Sequence, residues 1–218
     1  MPKIGMEPVR RKALVDAALR AIGHHGSLSV TMSEIARQAG VSPALAHHYF
    51  GSKEQLLIET VRALLRQLRS DAVTALRQAR TPRERFSSVI RVSFHADQFA
   101  DETVAAWLAF YVEAQRSEEV RRLLEVYARR LNSNLVSALK PLASAGDASR
   151  IAQGAAAMID GLYIRQSLRS APVSIDASVA LVEDYIEGQL ARVSTGTSGK
   201  KAPHPPAGTF SPQAGRRG

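Results

Sequence analysis

Cysteine is absent from this 218-residue chain, which excludes disulfides, thiol nucleophiles and thiolate metal sites. Long apolar runs are missing too. The longest strongly apolar, charge-free stretch, Thr103 to Val112, falls far short of the roughly 20 residues needed to span a bilayer. The opening MPKIGMEPVRRKALVDAALRAIG has neither the continuous apolar centre nor the small-residue cleavage site of a secretory signal, so the expected location is the bacterial cytoplasm, with no membrane partner. Strand-like alternation and hairpin turn pairs are almost lacking, which leaves an all-α fold. Catalytic constellations are missing as well: the pairs His24-His25 and His47-His48 are adjacent and point about 100° apart on a helix, and no carboxylate–histidine spacing suggests a metal. The chain is therefore expected to be neither an enzyme nor a cofactor carrier.

Positive charge is present, but it is unevenly placed. Of the formal net charge of +9, Arg192, Lys200, Lys201, Arg216 and Arg217 supply +5 in a tail that has no acids, which leaves +4 for the body. Residues 192–218 are rich in Ser, Gly, Thr and Pro and are expected to be disordered, because they have too little apolar surface to offset ordering entropy. The tail reads as an inert extension, or alternatively as an auxiliary arm that slides on DNA by counterion release.

The most informative stretch is TMSEIARQAGVSPALAHHYFGSK, Thr31 to Lys53. Thr31-Met32-Ser33-Glu34 has the form of a capping box, and Ile35, Ala36 and Ala39 give the helix it opens an apolar stripe. Gly40 is where the chain must leave that helix through a left-handed conformation, with Val41 plugging the corner. Ser42 and Pro43 then cap and start a second helix. Ala46 and Phe50 suffice to seat it, which leaves Pro43, Ala44, Leu45, His47 and His48 outside. Such a small, apolar, imidazole-bearing face suits a DNA major groove, although an ordinary surface hairpin would share the helix-Gly-helix pattern.

The string Ile35-Ala36, Ala39-Gly40-Val41-Ser42, Tyr49-Phe50, Ser52-Lys53-Glu54 and Leu56 resembles the DNA-binding domain of the TetR family of bacterial repressors. The resemblance implies a three-helix DNA-binding domain at 8–68, with its helix-turn-helix at about 31–50, and a helical ligand-binding and dimerisation domain at 69–191, about nine helices in all. It also implies that Lys53 contacts DNA phosphate. Lys53, Tyr49, His47 and Thr31 are expected to position the protein on phosphates, with Ser33, Ala44, Leu45 and His48 on the surface facing the bases and Ser42 and Pro43 also counted among the DNA-binding residues. Ala44, Ala46 and His47 depart from the residues common in the family at those positions.

Caps and punctuation place the other helices. The first is expected from Pro8 to about His24, burying Val9, Leu14, Ala17, Ala18, Ala21 and Ile22, with Arg10, Arg11 and Lys12 near DNA. A long fourth helix starts at Ser52, with Gln55 completing a second capping box, and others open at Thr81-Pro82-Arg83-Glu84, Asp101, Ser117 and Ala145. The helix that opens at Ala145 counts as the eighth and is expected to end at Ala171-Pro172, and the last to run from Ser174 to about Ala191. One reader helix covers few base pairs, so a homodimer on a palindromic double-stranded operator is expected. Val179, Val182 and Ile186, beside Leu181 and Tyr185, are expected to face Ile151, Ile159, Leu162 and Gln166 in an intersubunit bundle.

An effector site is expected in the C-terminal helices. Trp107, Phe110 and Tyr111 stand at i, i+3 and i+4, and Asp160 interrupts an apolar run just before Tyr163. Aromatic faces with one carboxylate fit a quaternary ammonium, whereas ordinary core and an Asp160 pairing with Arg165, Arg129 or a partner subunit are the alternatives. The opening segment, HYF at His48 to Phe50, AWLAF at Ala106 to Phe110, RRLNSNLVS at Arg129 to Ser137 and IDGLYIR at Ile159 to Arg165 resemble the choline-responsive repressors of that family. This likeness implies choline as inducer and control of genes that convert choline to the osmoprotectant glycine betaine. A sensor of other cationic or hydrophobic molecules, and a helical adaptor protein, are the alternatives.

Overall fold

The computed structural model describes residues 5–168 and 174–197, and among them the chain forms ten helices and no strand. In chain order these are α1 (Met6–His25), α2 (Met32–Gln38), α3 (Pro43–Phe50), α4 (Lys53–Gln78), α5 (Pro82–Ser93), α6 (Ala96–Phe99), α7 (Asp101–Glu113), α8 (Glu118–Leu139), α9 (Ala145–Ser167) and α10 (Ile175–Thr197). The count exceeds the expected nine because the four-residue α6 turns the chain between α5 and α7.

Local chemistry explains most boundaries. Thr31 and Thr81 both form complete capping boxes, with Glu34 and Glu84 returning a bond to the cap amide. Ser52 caps α4 by accepting from the Gln55 amide at 3.3 Å, but the expected return bond from Gln55 does not form. Gln55 lies exposed, where water can solvate its side-chain amide. The last helix runs on to Thr197, six residues past the expected end at Ala191, so residues 192–197 are helical. Ala171-Pro172 and residues 198–218 lie outside the described residues.

Helix α1 buries Leu14, Ala17, Ala18, Ala21 and Ile22 as expected, but Val9 is 58% exposed. Val9 lies five residues before Leu14, which sets it about 140° round the helix from that face. Of the stripes expected to meet across subunits, Val179, Val182 and Ile186 are buried within the chain, as are Ile151, Ile159 and Gln166, while Leu162 and Tyr185 are half-buried and Leu181 is exposed. Gln166 donates to Asp101 on α7 at 3.0 Å. Polar ties that hold α10 in place include Arg83 to Glu187 at 2.7 Å, Ser87 to Glu183, Arg150 to Gln189 at 3.0 Å, and Arg91 to Glu183 at 3.9 Å and to Asp176 at 4.0 Å. Large apolar side chains left outward here, among the described residues, are Ile164 on α9, Leu168 at its C-terminal cap, 80% exposed, and Leu181 on α10.

The N-terminal helices join the rest through α4, which is continuous across the expected boundary at 68, and through α1, which packs extensively on α7. Gly23 permits the second junction, since a Cβ there would lie 2.4 Å from the Glu102 carbonyl oxygen. Glycine at a free helical position is worth about 1 kcal/mol less than alanine, so Gly23→Ala would ordinarily stabilise. The clash reverses the sign. Gly23→Ala is expected to destabilise by about 1–3 kcal/mol in urea unfolding, and an unchanged or raised midpoint would show that the two helices separate freely.

Candidate DNA-reading surface and effector site

Helices α2 and α3 are held at a fixed angle by the turn between them. Gly40 has φ 67°, its amide donates to Arg37 O at 3.2 Å, and the Val41 amide donates to Ala36 O at 3.0 Å. Ser42 accepts from the Leu45 amide at 3.2 Å and Pro43 occupies the first turn, so α3 starts without a wasted donor. Ala46 and Phe50 are buried, while Ser33, Ser42, Pro43, Ala44, His47 and His48 are exposed and Leu45 and Tyr49 half-buried. The expected outward face of α3 is therefore present as one surface.

Several of these side chains already have partners. The Thr31 hydroxyl donates to Glu34 Oε2 at 2.9 Å and accepts from the Glu34 amide at 3.2 Å. The Thr31 amide and hydroxyl together hold the Glu34 carboxyl below its usual range. Thr31 can thus donate to a phosphate only by releasing Glu34. His47 Nδ1 lies 3.0 Å from Gly51 O, and Lys53 Nζ donates to Leu28 O at 3.4 Å, a bond long enough to exchange for an anion.

The basic cluster of α1, expected near DNA, is divided by its intramolecular partners. Lys12 pairs with Asp16 at 2.5 Å. The Arg11 guanidinium donates to the Tyr49 carbonyl and lies 4.4 Å from the centre of the Phe50 ring. It satisfies a carbonyl at the C-terminal end of α3, where the helix dipole also favours a cation, and stacks on the side chain that seats the helix. Only Arg10 of the three is exposed without a charged partner among the described residues. Adjacent cations on an N-terminal helix read as a nucleic-acid patch, and nothing in the sequence distinguished the one that turns inward.

In the C-terminal helices, the aromatic trio separates. Phe110 is fully buried and makes no ring contact with the others among the described residues. Trp107 is 4% exposed and lies 6.5 Å from the Tyr111 ring and 5.2 Å from that of Tyr127. The Tyr111 hydroxyl donates to Asp160 Oδ1 at 3.4 Å. Tyr163 turns the other way, stacking on Phe94 and donating to the Ser93 carbonyl. Four of the five expected residues, Trp107, Tyr111, Asp160 and Tyr163, thus share one neighbourhood, to which α8 adds Tyr127. Tyr127 belongs to the apolar stripe Val120, Leu124, Leu131, Leu135 of α8, a spacing that does not set it apart from core.

Asp160 carries the electrostatics of this cluster. No cationic side chain lies within 4.0 Å of it among the described residues, so the alternatives of Arg129 and Arg165 are not realised. Burial raises its carboxyl above the usual range, only partly countered by the Tyr111 hydroxyl. Burial first, and the nearby carboxylate second, push the Tyr111 phenol up as well. Trp107 Nε1 is buried without a hydrogen-bond partner. An unmatched carboxylate and an orphan donor among aromatic faces are unfulfilled contacts that a core would avoid.

Similarity to known proteins agrees with this division. Residues 14–60 match the bacterial regulatory proteins of the tetR family, and residues 82–191 match the C-terminal domain of BetI-type transcriptional repressors. The HTH-type transcriptional regulator BetI of Rhizobium meliloti strain 1021 is 76% identical over 190 residues, covering 87% of this chain and 94% of that protein. Its counterpart in Agrobacterium fabrum strain C58 is 68% identical over 200 residues, covering 92% and 97%. A transcriptional regulator from Pseudomonas aeruginosa PAO1 superposes with a TM-score of 0.73 at 27% identity, over 84% of this chain and 91% of that one. One from Saccharomonospora viridis, solved in complex with choline, does so at 0.72 with 24% identity, over 81% and 95%. The chain belongs to the TetR family of bacterial transcriptional regulators, with a C-terminal domain of the BetI type.

Proposed function

We propose that this regulator is a homodimeric repressor of choline-to-glycine betaine genes and that choline, bound at the Asp160 cluster, weakens its hold on a palindromic operator. The single observation that carries the effector is the half-buried Asp160 carboxylate, which has no cationic partner and lies among Tyr111, Trp107 and Tyr127. A trimethylammonium has no N–H to donate and is held by charge and by aromatic faces, at about 0.5–2 kcal/mol for each good contact. Its charge would compensate the carboxylate. The hydroxyl oxygen of choline would accept from the orphan Trp107 Nε1. Phe110 supports the site from behind, and Tyr163 fixes its floor through Ser93.

Choline can relieve repression only by preferring a conformation whose reader helices are wrongly placed for DNA; a coupling of about 1–3 kcal/mol corresponds to roughly 5- to 150-fold weaker operator binding. Calorimetry with choline and with its uncharged isostere 3,3-dimethylbutanol tests the charge directly. Choline is expected to bind at least about tenfold more tightly. Equal binding of the isostere would refute the role of Asp160, as would a full choline response in Asp160→Asn.

The raised Asp160 carboxyl adds a pH and stability signature. Its folded pKa lies above the unfolded value, so ionisation costs stability once pH rises past the unfolded value and through the folded one, while choline affinity should grow over the same rise. Asp160→Asn is therefore expected to raise the thermal midpoint at neutral pH while it abolishes choline binding. A lowered midpoint would mean that the carboxylate is a structural partner.

On DNA, Lys53, Tyr49, His47 and Thr31 are proposed to position the protein on phosphates, with Ser33, Ser42, Pro43, Ala44, Leu45 and His48 facing base edges. Arg11 positions α3 from behind. Lys53→Ala should reduce the salt slope of binding by about one unit, whereas Arg11→Met should weaken binding at an unchanged slope because its charge is spent inside the protein. Fluorescence anisotropy across a salt series separates the two, and a lower slope for Arg11→Met would put that side chain on the DNA instead.

A further inference from the structure

The two histidines near the end of α3 differ in one bond. His47 Nδ1 lies 3.0 Å from the Gly51 carbonyl oxygen, and because a carbonyl can only accept, that nitrogen carries a proton. The two residues are joined a second time, since the Gly51 amide donates to the His47 carbonyl at 2.7 Å, and Gly51, with φ 75°, ends the helix directly beside the ring. In the neutral ring Nε2 is therefore left with a lone pair and no hydrogen. A phosphate oxygen also can only accept. Neutral His47 could offer Nε2–H only by moving its proton, which would give up the Gly51 bond and set two acceptors face to face. His48 is under no such constraint. It is exposed, its ring meets that of Tyr49 at 5.6 Å, and its ring nitrogens have no hydrogen bond within the chain among the described residues, so either can donate while the ring is neutral.

We infer that His47 meets DNA phosphate only as the doubly protonated imidazolium, so that operator binding takes up a proton and weakens as pH rises. The inference rests on the phosphate role proposed above for His47 and adds the protonation state in which that role is played. As an imidazolium the ring keeps its Gly51 bond through Nδ1–H and presents Nε2–H outward, where a phosphate oxygen accepts it in a charge-assisted pair. A place at the C-terminal end of α3 suits a cation. The charged groups on the elements packed against α3 have other partners or lie apart. On α2, Glu34 is held by Thr31, with His25 of α1 acting on it as well, and Arg37 is exposed. On α4, the Glu54 carboxyl is bound by its own amide and by Ser52, and Lys53 donates to Leu28 O. On α1, Arg11 donates to Tyr49 O and Lys12 pairs with Asp16. Among the described residues no carboxylate lies within 4.0 Å of the His47 ring, so phosphate is the anion open to it.

Fluorescence anisotropy of the full chain, with a duplex that it enriches from a random-sequence pool, tests this when a salt series is run at each pH from about 6 to about 8.5. Affinity is expected to fall by about tenfold or more across that range, and the salt slope to become shallower by about one unit as the charged contact is lost. His47→Gln keeps a donor but cannot take up a proton, so it should lose both the fall and the change of slope. His47→Arg, charged throughout, should keep the steeper slope at both ends. His48→Gln should retain the fall with pH whatever it does to affinity. A wild-type affinity and slope that stay level across the range would overturn the proposal, and so would a fall that survives in His47→Gln. If the wild type is level and His47→Gln weakens binding by one factor at every pH, the phosphate contact stands and the proton alone is refuted. If His47→Gln binds like the wild type at every pH and salt concentration, the phosphate role itself fails. His47 is exposed, so these variants change the contact without disturbing the core.

Discussion

Because position 23 carries no side chain, the backbone of α1 reaches the backbone of α7 at Glu102, and the packing of α1 on the C-terminal helices depends on that approach. One end of α1 is fixed on the helix that bears Trp107 and Tyr111. The other end holds α3 through Arg11, the Tyr49 carbonyl and the Phe50 ring. The reader helix is therefore attached to the effector helix by one rigid element with a contact at each end. The second attachment, α4, runs from the turn after α3 into the C-terminal helices without a break. Under the proposed choline reading, a shift of α7 would reach α3 through α1 and the Arg11 contact.

The effector cluster has the opposite character to that rigid frame. Asp160 sits half-buried without a cation, Trp107 keeps an unused donor, and the phenols of Tyr111 and Tyr163 are pushed up by burial. The carboxylate and the indole donor are groups that a purely structural core would have replaced by apolar ones. Under the proposed choline reading, their cost would be borne in the free protein and recovered on binding the cation. Binding free energy would then be available for displacement, because a site already satisfied would gain little from its ligand. Selectivity would follow from the same residues, since a neutral ligand would leave the carboxylate unmatched and a carboxylate-bearing one would meet a like charge.

The helix-turn-helix was legible almost residue by residue, because capping boxes, a left-handed glycine and Pro at a helix start are local signals whose chemistry is complete within a few residues. Gly40, Thr31, Ser42 and the buried pair Ala46 and Phe50 all behave as their positions require. What stayed hidden depends on contacts between distant segments. Arg11 looked like its neighbours until Tyr49, 38 residues on, supplied a carbonyl for it. Tyr127 was not singled out at all, and only its contact with Trp107 brings it into the cluster. The stripes of α9 and α10 read correctly as apolar and buried, but periodicity tells only that a face is covered, and here α9 and α10 cover each other. Val9 shows the limit within a single helix: it is apolar and near the right spacing, yet about 140° from the face that packs.

The distribution of cations bears on how the reader works. Arg62, Arg83, Arg121, Arg122 and Arg150 are matched to carboxylates, Lys12 to Asp16, and Arg11 to a backbone carbonyl, so much of the positive charge of the body is spent within the fold. On the proposed reading of the DNA surface, discrimination between operator and other DNA would fall largely on the face of α3 itself, where Pro43, Ala44 and Leu45 are short enough for close approach and His47 and His48 expose imidazoles. A reader of this kind would depend on the angle at which α3 is presented. Arg11, which ties α3 to α1 through the Tyr49 carbonyl and the Phe50 ring, would then matter beside the residues on the surface.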